Sequence, residues 1–214
     1  MSSCCGQGET TLGGGCRKGS PEFKGRTLSD LVRHYKEHIL PTHPGKKDIK
    51  LLPDDLRGDL FGSCFAAVLA MRWVGAQTMD PHQRNVRKEE RETFGTRLGA
   101  KKYEIERCKD FHSVYNIVSA FKIDYIGYLT VYDTALRICL YRGMAPEHVY
   151  LHNGAFCGAR YLLNKGFLKI KKIRDNTPYD LNVFPQELQK LAAWEIENFL
   201  CCCKQEIKSI AANA

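Results

Sequence analysis

FHSVYNIVSAFKIDYIGYLTVYDTALRICLYR, residues Phe111 to Arg142, decides the fold. Its apolar residues recur at helical spacing on both sides of a short gap. Phe111, Val114, Tyr115, Val118 and Phe121 share one face of a first helix. Asp110 is placed to cap its N-terminus. Val131, Ala135, Ile138 and Tyr141 share the inner face of a second helix. Thr130 is expected to cap it, with Asp133 three residues on as a short capping-box partner. The joint between the helices is centred on Ile126-Gly127, where a glycine permits close approach and unusual dihedrals.

Working outward, the same periodicity predicts helices on either side. Thr27 to Ile39 carries an apolar stripe of Leu28, Leu31, Val32, Tyr35 and Ile39. Asp59 to Gly75 is apolar on several sides and is expected to be the central core helix. The segment from Asp80 to Lys109 is rich in charge, and its Arg84, Arg87, Lys88 and Arg91 suit either phosphate contacts or a solvated face with internal ion pairs. Gly143 can end the second central helix. Glu147 to His152 is expected to be a turn, and Asn153 to cap a helix over Gly154 to Asn164. Lys165 to Arg174, KGFLKIKKIR, is the strongest basic run, with Phe167, Leu168, Ile170 and Ile173 to pack it as a loop or lone strand. Pro185 to Ile210 is expected to be one long helix, with Phe184 and Leu188 as a hydrophobic staple at its start. The expected fold is all-α, a compact helical bundle of about seven helices. One domain over 27–214 would follow a disordered tail over 1–26, whose Gly19-Ser20-Pro21-Glu22-Phe23 resembles a cloning-site linker.

The chain has 214 residues, enough for one domain with a real core. Its net charge of +8 favours an acidic partner, with nucleic acid ahead of an anionic membrane surface. Ten cysteines in a short secreted chain would imply disulfides. Here the N-terminus MSSCCGQGETTLGGG lacks the apolar core of a signal peptide, so free thiols and a cytoplasmic location are expected. The most apolar run, Leu60 to Ala76, is interrupted by Gly62, Ser63 and Arg72, and no membrane partner is expected.

Two patterns invite a metal. His34-Tyr35-Lys36-Glu37-His38 matches the H-x-x-E-H of inverted zinc peptidases, with both histidines on one helical face. No downstream Glu-rich helix supplies a third ligand, and a solvated helix edge accounts for the residues. Cys4, Cys5 and Cys16 match no zinc spacing. No metal and no cofactor are expected.

The joint Ile123-Asp124-Tyr125-Ile126-Gly127-Tyr128-Leu129-Thr130 resembles a helix-hairpin-helix DNA-binding element. The resemblance implies duplex DNA held by its phosphates. Gly127 would let the backbone approach, and the amides of Leu129, Thr130 and Val131 would donate. Lys122 and Arg137 would assist, and Lys165, Lys169, Lys171 and Lys172 would extend the footprint. Downstream, Val149-Tyr150-Leu151-His152 is similar to the V-D-T-H motif of helix-hairpin-helix DNA glycosylases. Tyr150 stands where those enzymes carry a catalytic aspartate, and Leu129 where some carry a lysine. A phenol cannot replace that carboxylate at neutral pH. Glycosylase chemistry would therefore rest on Glu147, with His152 orienting. The LTVYDTALRI of Leu129 to Ile138, with VYLH after it, also resembles bacterial proteins of unassigned function. A third reading is a structural or interaction subunit that docks through the C-terminal helix, with its cysteines, Ile207 and Ile210 facing a protein partner.

Overall fold

The computed structural model describes residues 22–42 and 86–213. Residues 1–21 of the expected tail, with Cys4, Cys5 and Cys16, the basic loop after Pro41, the apolar helix over 59–75 and Arg84 all lie outside the described residues. The chain forms two compact units, one of Met1–His43 with Glu147–Ala214 and one of Pro44–Pro146.

The first unit begins with α1, Leu28–His34. Thr27 starts it as a full capping box: its hydroxyl accepts from the Asp30 amide at 3.1 Å, and Asp30 accepts from the Thr27 amide at 3.3 Å. The helix runs on through a π-helical turn, Tyr35–Ile39, and a 3-10 turn, Leu40–Thr42. In the second unit follow α2, Lys88–Gly99; α3, Lys102–Arg107; α4, Phe111–Ala120; and α5, Tyr128–Tyr141. The first unit resumes with β1, Val149–Leu151; α6, Asn153–Asn164; β2, Thr177–Tyr179; a 3-10 turn, Leu181–Val183; then α7, Gln186–Gln189; α8, Ala193–Cys202; and α9, Lys204–Ser209. The described residues are thus mostly helical, with one short antiparallel pair in which Val149 faces Tyr179 and Leu151 faces Thr177. Among the described residues, no helix is long and apolar enough to cross a membrane.

Three expectations are corrected in this unit. Residues 147–152 hold a strand as well as a turn, because all three residues of β1 are buried and show no alternation to reveal them. The C-terminal segment is three short helices. The chain extends at Ala192 (ψ 156°), and Glu195 caps the restart by accepting from the Ala192 amide at 3.1 Å. Glu22 to Arg26 also belongs to the fold: Phe23 packs on the core, and the Arg26 carbonyl accepts from the Ala211 amide at 3.0 Å.

The core of this unit gathers Leu31, Tyr35, Leu162, Phe184, Leu188, Phe199 and Ile207. Tyr35 is held inside by its hydroxyl, which donates to Asn198 Oδ1 at 2.9 Å. Its closest packing is α6 on α8. A Cβ at Gly158 would collide with the Leu200 carbonyl oxygen and would lie 2.8 Å from its carbon and 3.0 Å from its Cα. Backbone cannot retreat as a side-chain tip can, so a larger residue must part the helices. Gly158→Val is therefore expected to cost at least about 1–3 kcal/mol of stability, seen as a lowered denaturant midpoint. An unchanged midpoint would show that the two helices are not in contact along this line.

Candidate functional site

The start of α4 and the far end of α5 are built as their sequence implies. Asp110 accepts from the Ser113 amide at 2.7 Å and from its hydroxyl at 2.8 Å, and these bonds hold the Asp110 carboxyl below its usual range. Phe111 meets Tyr132 across the pair, with ring centroids 5.6 Å apart. Val114, Val118, Val131, Ala135 and Ile138 are buried. At the far end of α5, Gly143 takes φ 72°, a region open to glycine. Its amide bonds Leu140, and the Met144 amide bonds Cys139 at 2.8 Å, which is the Schellman pattern.

Arg142, just before that glycine, carries a role the apolar periodicity could not reveal. Its guanidinium donates to the carbonyls of Ile105, Glu106 and Cys108 at 2.7, 2.9 and 2.9 Å. It thereby closes the C-terminal end of α3, where orphan carbonyls and the negative end of the helix dipole favour a cation.

The opposite end of the pair is a tight turn. The Ile126 amide donates to the Ile123 carbonyl at 3.2 Å, and Ile126 is buried beneath. Tyr125 takes the left-handed conformation, φ 66°, with its side chain 75% exposed. Here the sequence expectation is corrected twice. Gly127 does not use a glycine's freedom: its φ is −81°, and a Cβ there would meet nothing within 4 Å. Nor does Thr130 cap α5. The helix starts one turn earlier with Gly127 as its N-cap, no side chain caps it, and Thr130 is buried inside the first turn. The Val131 amide is spent on the Gly127 carbonyl at 3.1 Å. The amides of Tyr128 and Leu129 precede that first intrahelical bond, whereas the Val131 amide, expected to donate outward, is inside the helix.

Around this turn, cations lie over aromatic rings. Arg87 sits 5.5 Å from the Tyr125 centroid, Lys122 5.5 Å from that of Tyr128, and Lys101 5.1 Å from that of Phe121. Lys122, Gly127 and Tyr128 are exposed, Leu129 is half-buried, and Arg137 is half-buried further along α5. Arg87 and the tyrosines were legible as residues but not as partners, because the pairs join segments up to a few dozen positions apart.

The other expected site residues lie in the first unit. Glu147 is exposed, whereas His152 is 3% exposed at the start of α6, on the far side of β1. The carboxylate nearest His152 is that of Glu197, 3.7 Å from Nδ1. Tyr150, in the aspartate position of the resembled motif, is buried. Lys169, Lys171, Lys172 and Arg174 are exposed on a loop anchored by buried Leu168 and Ile173. Lys165 is turned onto its own chain, its Nζ donating to the Ile210 carbonyl at 2.6 Å. Cys202, Cys203, Ile207 and Ile210 are buried, so the face expected to meet a protein partner belongs to the core. His34 and His38 have ring centroids 5.0 Å apart, and no group of three metal-ligating side chains occurs among the described residues.

Comparison with family models, with curated proteins and with solved structures returns no match to this chain.

Burial pushes His152 down to about 4 from 6.5, so the imidazole is neutral at pH 7 and its approach to Glu197 is no ion pair there. The unfolded chain binds the extra proton between those two values. Stability therefore falls as pH drops through that window and is untouched above it. Between pH 7 and pH 5 the loss should be on the order of 2 kcal/mol, and His152→Gln should remove it. Denaturant midpoints at the two pH values measure this; a variant that loses as much as the parent would contradict it.

Proposed function

We propose that this chain binds DNA by its phosphate backbone, without reading sequence, through the exposed turn at the end of the α4–α5 pair. The resemblance of Ile123 to Thr130 to a helix-hairpin-helix element motivates the reading. The observation that carries it is the start of α5. A fourteen-residue helix begins at an exposed glycine with no side-chain cap. Its first-turn amides point a positive dipole end outward, and a phosphate completes such an end. Lys122 stands beside it with its charge exposed. Gly127 matters by what it lacks: any side-chain acceptor there would take the amides for itself.

Lys169, Lys171 and Lys172, in the other unit, offer a second exposed cationic segment that adds electrostatic attraction without geometry. A glycosylase reading finds no comparable support, since Glu147 is exposed and His152 is buried and neutral.

Gly127→Asp tests the proposal without harming the fold. The backbone at Gly127 is already extended, as an N-cap requires, and there is room for the side chain. The new carboxylate should cap α5 and raise stability by up to about 1 kcal/mol. It should also occupy the amides, repel phosphate and lower affinity for a blunt duplex at least about tenfold. Fluorescence anisotropy at low salt reads the affinity. A Gly127→Asp protein that is folded and binds as the parent does would refute the role of the turn, and a parent that binds no DNA at low salt would refute the proposal altogether. Changing Lys169, Lys171 and Lys172 together to Glu should weaken binding to every sequence alike and flatten the dependence of affinity on salt.

A further inference from the structure

Among the described residues, the large apolar side chains left exposed are three tyrosines, Tyr103, Tyr125 and Tyr128, all in the second unit. Two of them flank the turn just described. Tyr125 is 75% exposed, and it occupies the third position of a turn closed by the Ile126 amide on the Ile123 carbonyl. Its φ of 66° is one that glycine or asparagine adopts at little cost and that a bulky residue rarely takes. A tyrosine there contributes little packing and carries a strained backbone, which marks a residue kept for contact with something outside the chain. Tyr128, the first residue of α5, is 44% exposed.

Each ring has a cation on it. Arg87 lies 5.5 Å from the Tyr125 centroid and Lys122 5.5 Å from that of Tyr128. Cation–ring pairing holds an exposed aromatic in a defined orientation and places positive charge over one of its faces. A π surface with a cation over one face matches a nucleotide whose base is unpaired: the base stacks on the ring's other face and its phosphate meets the cation. A paired base offers no such face, because both of its faces are buried in the duplex stack. An anionic membrane is the poorer match. Interfacial anchoring calls for Leu, Phe or Trp to enter the acyl region, and no large exposed residue of those types accompanies the tyrosines among the described residues. Asp124, exposed at the tip, is the one opposing charge within the turn and would stand away from the phosphate path.

We propose that Tyr125 and Tyr128 are stacking platforms for unpaired bases, so that the nucleic acid bound at this turn is single-stranded or carries a single-stranded segment. The inference rests on the reading of the turn as a DNA contact and narrows it to one substrate class. The phosphate held by the first-turn amides of α5 is then the backbone of the stacked nucleotides, and a blunt duplex makes the phosphate contact without the stacking.

The test uses the full chain and three labelled probes: an oligothymidine, a blunt duplex of mixed sequence, and the same duplex with an oligothymidine overhang. Anisotropy at moderate salt should give affinities for the first and third at least about tenfold above that for the blunt duplex. Tyr125→Gly keeps the fold, since glycine suits the left-handed position. That change and Tyr128→Ala should each lower affinity for the unpaired probes about tenfold, and Tyr125→Gly should leave the blunt duplex within about twofold, while Tyr125→Phe and Tyr128→Phe retain parental binding. Equal affinity for all three probes, with both tyrosine variants behaving as the parent, would overturn the stacking role and leave the phosphate contact standing. Binding to none of the probes would overturn both. Binding to vesicles containing phosphatidylserine but to no oligonucleotide would overturn the inference and assign the tyrosines to a membrane surface.

Discussion

One guanidinium holds the helix pair that the functional reading depends on. Arg142 collects three carbonyls from the end of α3 and the segment after it, and it does so from the last turn of α5. Hydrogen bonds from a charged donor are about twice as strong as neutral ones, and the acceptors here are groups a helix terminus would otherwise leave to water. The clamp joins the end of α5 to the approach to α4, where Asp110 fixes the first turn through Ser113. With that end closed and the shared faces of α4 and α5 packed around Phe111 and Tyr132, the opposite end is free to be irregular. That is where the turn places its strained tyrosine and its uncapped helix start.

The second unit was legible where one residue does one local job. Asp110 before an apolar-periodic run, and Gly143 after one, act through their own backbone and immediate neighbours, and both behave as expected. The start of α5 was misread for a related reason. Thr130 and Asp133 have the chemistry of a cap, but Ile126 and Val131 are both buried, and that burial sets the phase of the helix from Gly127 onward. Packing outweighed capping preference. Arg142 and the cation–ring pairs were out of reach because their meaning lies in contacts between elements. A lone arginine at a helix end has many solvated alternatives, and nothing in the local pattern selects three particular carbonyls.

The first unit shows the same division. The Thr27 capping box and the apolar stripe of α1 were plain, and so was the burial of Phe184 and Leu188. The break of the C-terminal segment was not, because Leu191 and Ala192 are ordinary helix residues whose extended turn is stabilised by Glu195 three positions on. Gly154 and Gly158 lie in an ordinary helical stretch of α6. Their lack of side chains lets the α8 backbone at Leu200 approach Gly158 and the Cys201 Sγ approach Gly154. Basic residues divide by what surrounds them: Lys165 closes onto Ile210, while Lys169, Lys171 and Lys172 stay in water because Leu168 and Ile173 anchor the loop from below.

In the proposed complex the first turn of α5 grips the nucleic acid. Hydrogen–deuterium exchange of the full chain, with and without a saturating oligonucleotide, addresses those amides directly. Exchange should slow at Tyr128 and Leu129, whose amides precede the first intrahelical bond. Exchange there that is unaltered by an oligonucleotide demonstrably bound, with protection confined to other segments such as 169–174, would contradict it.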